Sequence, residues 1–100
     1  MARGGVDWRD LRERRMAEPG ADEAYEAARI AFELGQTVRE LRERNGWSQT
    51  QLARAAGMTQ PAVARFEAGG TVPTLVVLER LARALHMRLD VRFSPAADAA

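Results

Sequence analysis

Residues 48–69, SQTQLARAAGMTQPAVARFEAG, decide the fold of this chain and predict two short helices joined by a tight turn. Ser48 can cap the first helix, and Gln51 three residues later completes a capping box. The first helix then carries small and apolar residues at the i, i+3, i+4 spacing of an inward face: Leu52, Ala55 and Ala56.

The turn and the second helix have their own local signals. Gly57 stands where the first helix must end, because glycine enters the left-handed backbone region without a steric cost. Thr59 can cap the second helix, and Pro61 occupies its first turn, where a missing N–H is harmless. Val63 and Phe66 form the inward face of this helix. The layout predicts a DNA-binding helix-turn-helix, with two helices of an ordinary α-helical bundle as the alternative.

The same stretch resembles the Xre-type (Cro/cI-like) domain of phage repressors and bacterial regulators, and the resemblance extends over residues 32–89. It implies a mainly α fold, a five-helix Xre-type helix-turn-helix domain. To this we add an N-terminal helical extension and one C-terminal β-strand as predictions from the flanking sequence. The residues that carry the resemblance are Gln49, Leu52, Ala53, Ala56, Gly57, Thr59, Gln60, Val63, Arg65, Glu67 and Gly69.

The composition limits the classes of protein to which the chain can belong. A length of 100 residues suits one domain with a modest core, and 46% hydrophobic residues exclude a wholly disordered chain. The sequence has no apolar run of about 18 residues and no secretory signal, so we expect a cytoplasmic protein without a membrane span. With no cysteine and one histidine, we expect neither a metal site nor a cofactor.

The net charge of +1 conceals an uneven distribution. Residues 36–94 hold nine arginines against five acidic residues, whereas residues 1–35 hold six arginines against eight acidic residues. The basic part of the chain is therefore the part that contains the predicted helix-turn-helix. A local excess of positive charge suits a surface that faces phosphates.

Three segments follow from the pattern along the chain. Residues 1–19 are predicted to form an N-terminal arm or short helix, in which Trp8 and Leu11 are expected either to pack on the chain's own core or to contact a partner. Residues 20–94 form the helix-turn-helix DNA-binding domain, with an extended first helix and a C-terminal strand. The Ala-rich residues 95–100 are predicted to be a disordered tail.

The first helix of the domain is predicted over residues 21–44, where Ala, Glu, Arg and Leu dominate. Its apolar residues change face near Gly35, so one long helix or two helices kinked there both fit the pattern. The stripe before Gly35 is Tyr25, Ala28 and Phe32, and the later stripe is Leu34, Val38 and Leu41.

The last two predicted elements follow the helix-turn-helix. Thr74 caps a helix whose inward residues are Leu75, Leu78, Leu81, Ala82 and Leu85. Residues 87–93 alternate apolar and charged side chains, which predicts a half-buried strand. A lone strand needs a partner, so we predict a homodimer in which the two strands pair and pack on the preceding helix. The alternative is addition to the sheet of another protein. The dimer-strand residues are Leu89, Val91 and Phe93.

The candidate binding residues lie on and around the second helix of the motif. By helical spacing, its outward face presents four residues to bases in the major groove of double-stranded DNA: Gln60, Pro61, Ala64 and Arg65. The family resemblance implies phosphate contacts by Gln49, Thr59, Gly70 and Thr71. It also implies a structural ion pair between Arg42 and Glu67. No nucleophile, base and carboxylate set is present, so we predict no catalytic residues and a protein that is not an enzyme.

The outer segments together resemble HigA-type antitoxins of type II toxin–antitoxin modules. That resemblance implies a transcriptional repressor that binds a palindromic operator, autoregulates its operon and neutralises a HigB/RelE-like ribonuclease toxin. Candidate toxin contacts are Trp8, Leu11 and Tyr25. The alternatives are a protein-binding module of the same fold with little DNA affinity, and a stand-alone Xre-type regulator without a toxin.

Overall fold

A computed structural model describes residues 20–97 of the chain. The predictions for residues 1–19, including Trp8 and Leu11, and for residues 98–100 lie outside this range. The described residues form four helices: α1 at Ala21–Arg44, α2 at Gln49–Ala56, α3 at Gln60–Glu67 and α4 at Leu75–Ala84. None of the four is both long and apolar enough to cross a membrane.

The predicted helix-turn-helix is formed by α2 and α3. The Gln51 backbone N–H donates to Ser48 Oγ at 3.1 Å, and the Ser48 N–H donates to Gln51 Oε1 at 2.7 Å, which completes the capping box. Gly57 ends α2 in the left-handed region, at φ 70°. Thr59 Oγ1 caps α3 by accepting the Ala62 N–H at 3.2 Å. These local signals therefore have the structural effect that the sequence predicts.

The core joins the C-terminal half of α1 to the other three helices. Leu52, Val63 and Leu81 are at most 1% exposed, and each such side chain stabilises the fold by about 1.5–3 kcal/mol. Two face predictions need correction: Ala53 is buried in α2 whereas Ala55 is exposed, and Leu75, predicted to face inward from α4, is 64% exposed. The buried cluster comprises Val38, Leu52, Ala53, Ala56, Val63, Phe66, Leu81 and Leu85.

Helix α1 continues through Gly35 without a break, so the two-helix alternative and the five-helix count are wrong for residues 20–97. The glycine has a different purpose. A Cβ at this position would lie 2.4 Å from the Phe66 carbonyl oxygen and 2.7 Å from that of Glu67. Gly35 therefore allows the backbone at the end of α3 to lie directly against α1.

The predicted C-terminal strand is not formed. Residues 87–97 have no regular secondary structure, because residues 20–97 contain no neighbouring strand to accept their backbone hydrogen bonds. Leu89 is half-buried, but Val91 is 65% exposed and Phe93 is fully exposed, so the predicted packing of all three on α4 is also wrong.

Candidate nucleic-acid interface

The outward face of α3 carries the four predicted base-contacting residues. Gln60, Pro61 and Arg65 are exposed and Ala64 is half-buried. The residues on the opposite side of the helix are buried: Val63, Phe66 and Glu67. Within residues 20–97 the Arg65 guanidinium makes no hydrogen bond or ion pair, so its donors point to solvent. The buried side of α3 thus anchors the helix to the core, and the outward side remains accessible to a ligand.

A buried ion pair attaches the end of α3 to α1. Arg42 Nε donates to Glu67 Oε2 at 2.7 Å and Arg42 Nη2 donates to Glu67 Oε1 at 3.1 Å. The two residues are only 9% and 3% exposed. Hydrogen bonding to Glu67 raises the pKa of the Arg42 guanidinium, and this effect exceeds the lowering by burial. Such a two-point pair sets the angle of α3 as well as its position.

The loop before α2 is tied to the same arginine. Arg42 Nη1 donates to the Trp47 carbonyl oxygen at 2.7 Å. The guanidinium therefore contacts both the end of α3 and the residue that precedes the cap of α2. Because one buried cation serves both elements, it fixes the two helices of the motif relative to α1.

The ion pair continues into a chain of side-chain amides. Glu67 Oε1 accepts Gln49 Nε2 at 3.0 Å, and Gln49 Oε1 accepts Gln60 Nε2 at 2.8 Å. The resemblance implied a phosphate contact for Gln49 and helical spacing a base contact for Gln60. The structure joins the two residues directly. Since they lie on different helices, sequence spacing alone does not reveal this bond.

The order of donors along this chain fixes the amide orientations. A carboxylate only accepts hydrogen bonds, so Gln49 must present its NH₂ group to Glu67. Its carbonyl oxygen then faces Gln60, which must in turn donate. Gln60 keeps one N–H and its carbonyl oxygen for a ligand. A side-chain amide oriented in this way presents the donor and acceptor that pair with N7 and N6 of adenine.

The N-terminal ends of α2 and α3 offer further donors. The first turn of a helix has free backbone N–H groups and the positive end of the dipole, both of which favour an anion such as phosphate. Gln49 is the first residue of α2. The Thr59 oxygen accepts a backbone N–H, so the hydroxyl proton of this exposed residue is free to be donated.

The loop after α3, which contains the predicted phosphate contacts Gly70 and Thr71, lies apart from the amide chain. The Gly70 N–H donates to the Arg65 carbonyl oxygen at 2.9 Å, so that group is already used in ending α3. Gly70 and half-buried Thr71 line a cleft of about 340 Å³ together with alanines of α1. The structure does not bring them into the cleft that contains Gln49.

A polar cleft of about 310 Å³ lies beside Glu67 and Gln49 of the amide chain and includes two residues that the sequence analysis missed, Gln36 and Arg39 of α1. Arg39 pairs with Glu43, with Nε 3.2 Å from Oε2, and both side chains are 54% exposed. An exposed pair of this kind is weak. The sequence does contain a signal that could have identified Arg39 as part of this cleft: it lies about one helical turn before Arg42, so both side chains are on the same side of α1. The remaining lining residues are Arg42, Gln49, Ala64, Glu67 and Ala68.

The described part of the chain contains no group of three or more His, Asp or Glu residues that could hold a metal ion. Tyr25, predicted as a toxin contact, is only 8% exposed and therefore does not present a free surface.

Comparison with known proteins places this geometry in a family. A family model described as a helix-turn-helix domain matches residues 33–92. The uncharacterized HTH-type transcriptional regulator YgzD of Bacillus subtilis (strain 168) is 38% identical over 53 residues, which cover 53% of this chain and 80% of YgzD. The HTH-type transcriptional regulator SutR of Escherichia coli (strain K12) is 30% identical over 66 residues, covering 66% of this chain but 37% of SutR.

A solved structure shows the same fold. The crystal structure of the restriction-modification controller protein C.AhdI from Aeromonas hydrophila matches with a TM-score of 0.58 and 36% sequence identity. The match covers 59% of this chain and 89% of C.AhdI. Since the family model spans more than half of the chain and agrees with the observed α2–turn–α3 arrangement, this protein belongs to the helix-turn-helix family that contains these transcriptional regulators.

Proposed function

We propose that this protein is a sequence-specific transcriptional repressor that places α3 in the major groove of its operator. The observation that carries the proposal is the chain from the buried Arg42–Glu67 pair through Gln49 to Gln60, which orients an exposed amide on the outward face of α3. The names of YgzD, SutR and C.AhdI as regulators and a controller support it.

Three of the four outward residues have a matching base chemistry. Gln60 pairs with adenine through its remaining donor and acceptor, and Arg65 pairs with guanine O6 and N7. Pro61 offers only apolar contact, which suits a thymine methyl group. The N-terminal ends of α2 and α3, with Gln49 and the Thr59 hydroxyl, hold the phosphates on either side.

Loss of a base contact is expected to weaken specific binding selectively. Arg65→Ala and Gln60→Ala should each lose about 1–3 kcal/mol on the preferred duplex, while binding to a scrambled duplex stays nearly constant. The preferred duplex is first selected by the wild-type protein from a random library, and affinities are then measured by fluorescence anisotropy. Arg88→Ala, which removes an exposed arginine of the segment after α4, is the matched control. Equal losses on both duplexes would contradict the base-contact assignment.

We further propose that the protein acts as a dimer through the beginning of α4, since residues 87–93 form no strand in the described part of the chain. Val72, Leu75 and Val76 are 86%, 64% and 63% exposed, an unusual set of neighbouring apolar side chains. Val72 and Leu75 line a cleft of about 520 Å³ that also contains Ile30 and Val91.

A second copy of the chain suits this surface because its rim carries both signs of charge. Glu79 and Arg80 lie beside Leu75 and Val76, and Asp90 and Arg92 lie beside Val91. A two-fold axis brings the same patch from both protomers together, so each acidic group can meet a basic group of the partner. Two copies also provide the two recognition helices, about 34 Å apart, that a palindromic operator requires.

The dimer surface can be tested by introducing a charge. Leu75→Asp should convert the dimer to a monomer and lower operator affinity, because a buried unpaired carboxylate opposes association. Sedimentation equilibrium measures the first effect and anisotropy the second. Phe93→Asp is the control, since Phe93 is a fully exposed residue of the predicted dimer strand. If Phe93→Asp were monomeric and Leu75→Asp remained dimeric, the dimer would have to form through residues 87–93 and not through the beginning of α4.

An antitoxin role is a second candidate, favoured by residues 88–97, whose backbone makes no backbone hydrogen bond within residues 20–97 and can add to the sheet of a partner. The resemblance to HigA-type antitoxins implies a HigB/RelE-like ribonuclease toxin as that partner. The test is to express each reading frame that adjoins this gene, alone and together with this chain. Growth arrest that is relieved by this chain supports an antitoxin, whereas a harmless neighbour favours the stand-alone regulator.

A further inference from the structure

The polar cleft between α1 and α3 borders the outward face of α3. Ala64 and Ala68 line the cleft, and they lie on the side of α3 that carries Gln60, because all three residues are spaced four apart. Gln36 and Arg39 of α1 line the same cleft. Alanine has no hydrogen-bonding group in its side chain, so a polar side-chain contact with a ligand in this part of the surface has to come from the neighbouring helices.

Arg39 has the most unused hydrogen-bond donors in the cleft. Its Nε donates to Glu43 Oε2 at 3.2 Å. Within residues 20–97 its two terminal nitrogens, Nη1 and Nη2, make no hydrogen bond, and they carry all but one of the N–H groups of the guanidinium. Because Glu43 accepts only from Nε, Arg39 can bind an anion without losing this partner.

The other charged groups that line the cleft balance each other. Arg42 and Glu67 form their two-point pair, and the Gln49 amide is already bound at both ends. The remaining polar residue, Gln36, is uncharged. Two arginines against one carboxylate leave one positive charge, which Arg39 carries.

A cleft of this kind suits a phosphate of a DNA backbone. In the proposed function the N-terminal end of α2 holds one phosphate, and Gln49, the first residue of α2, lines the same cleft as Arg39. Phosphates repeat about every 3.4 Å of helix axis along one strand, so a strand that passes the end of α2 brings a neighbouring phosphate to the cleft. The terminal nitrogens of a guanidinium match two oxygens of a phosphate.

We infer that Arg39 binds the operator phosphate adjacent to the one at the N-terminal end of α2. The inference rests on the proposed function, since it assigns a further contact to the same DNA-binding surface. A backbone contact positions the protein but carries no sequence information, so Arg39 adds affinity for every duplex. This separates its role from those proposed for Gln60 and Arg65.

The test is the salt dependence of DNA binding by Arg39→Ala in the full chain. Anisotropy on the preferred and the scrambled duplex should show the same loss of affinity. The slope of log K against log salt should become shallower by about 0.9 for each bound protomer, so the loss should be about 3.5-fold larger at about 50 mM than at about 200 mM salt. Arg39→Lys should restore the slope, because lysine binds phosphate as a point charge.

Arg29→Ala is the matched control. Arg29 also lies on α1 and pairs with acidic residues of its own helix, Glu26 and Glu33, but it does not line the cleft. Its removal should leave the slope unchanged. Both variants should keep the helical circular dichroism of the wild type, because exposed ion pairs contribute little to stability.

Three results would overturn the inference in distinguishable ways. If Arg39→Ala bound both duplexes like Arg29→Ala at every salt concentration, Arg39 would contact no phosphate. A loss confined to the preferred duplex would make Arg39 a base contact instead. A wild-type protein that selects no duplex from the random library would refute the proposed function, and with it this contact, before any variant is measured.

Discussion

Gly35→Ala is expected to destabilise the domain by about 2–3 kcal/mol, although alanine is the better helix former by about 1 kcal/mol. The new Cβ would lie 2.4 Å from the Phe66 carbonyl oxygen, and a backbone atom cannot move aside by changing rotamer. Helix α1 must therefore retreat from the end of α3, which also strains the Arg42–Glu67 pair. Urea unfolding followed by circular dichroism measures the change.

Gly70→Ala provides the matched control for that substitution. Its Cβ would lie 3.4 Å from the Arg65 carbonyl oxygen, an ordinary contact distance, and Gly70 is not among the glycines with positive φ. We expect its unfolding free energy to stay within about 0.5 kcal/mol of the wild type. If Gly35→Ala were as stable as Gly70→Ala, the close approach of α1 and α3 would not limit the residue at position 35.

Glu67→Ala should have the largest effect, a loss of roughly 3–5 kcal/mol, because it leaves the buried Arg42 guanidinium with only the exposed Glu43 carboxylate, 4.0 Å away, as a counter-charge. The Gln49 amide also loses its acceptor. For a domain of this size, such a loss lowers the melting temperature by on the order of 10–40 °C. Differential scanning calorimetry of the purified variant is the measurement.

An exposed pair in the same protein serves as the comparison. Glu79 pairs with Arg83 at 3.4 Å, with side chains 51% and 82% exposed. Glu79→Ala should therefore cost less than about 1 kcal/mol. A Glu67→Ala melting curve that matches that of Glu79→Ala would mean that the Arg42–Glu67 pair contributes no more than a surface contact.

The helix-turn-helix was predictable because its signals are local. Ser48 and Gln51, Gly57 and Thr59 each act within four residues, so the sequence contains both halves of every interaction. The start and end of α1 at residues 21 and 44 followed from composition in the same way.

The features that sequence analysis missed depend on elements far apart in the chain. Gly35 and Phe66 are 31 positions apart, and nothing near Gly35 indicates the close approach. The Gln49–Gln60 bond depends on the angle between α2 and α3. The alternation in residues 87–93 indicates which side chains share a face, but a strand also needs a partner, which the pattern does not specify.

The chain of amides has a consequence for how operator preference can change during evolution. Gln60 donates to Gln49, which donates to the buried Glu67, so a substitution at position 60 alters a network that extends into the core. Arg65 has no such attachment within residues 20–97. With the base contacts proposed above, new operator preferences can arise through single substitutions at position 65, whereas positions 49 and 60 must change together, so related regulators should diverge first at the base pair assigned to Arg65.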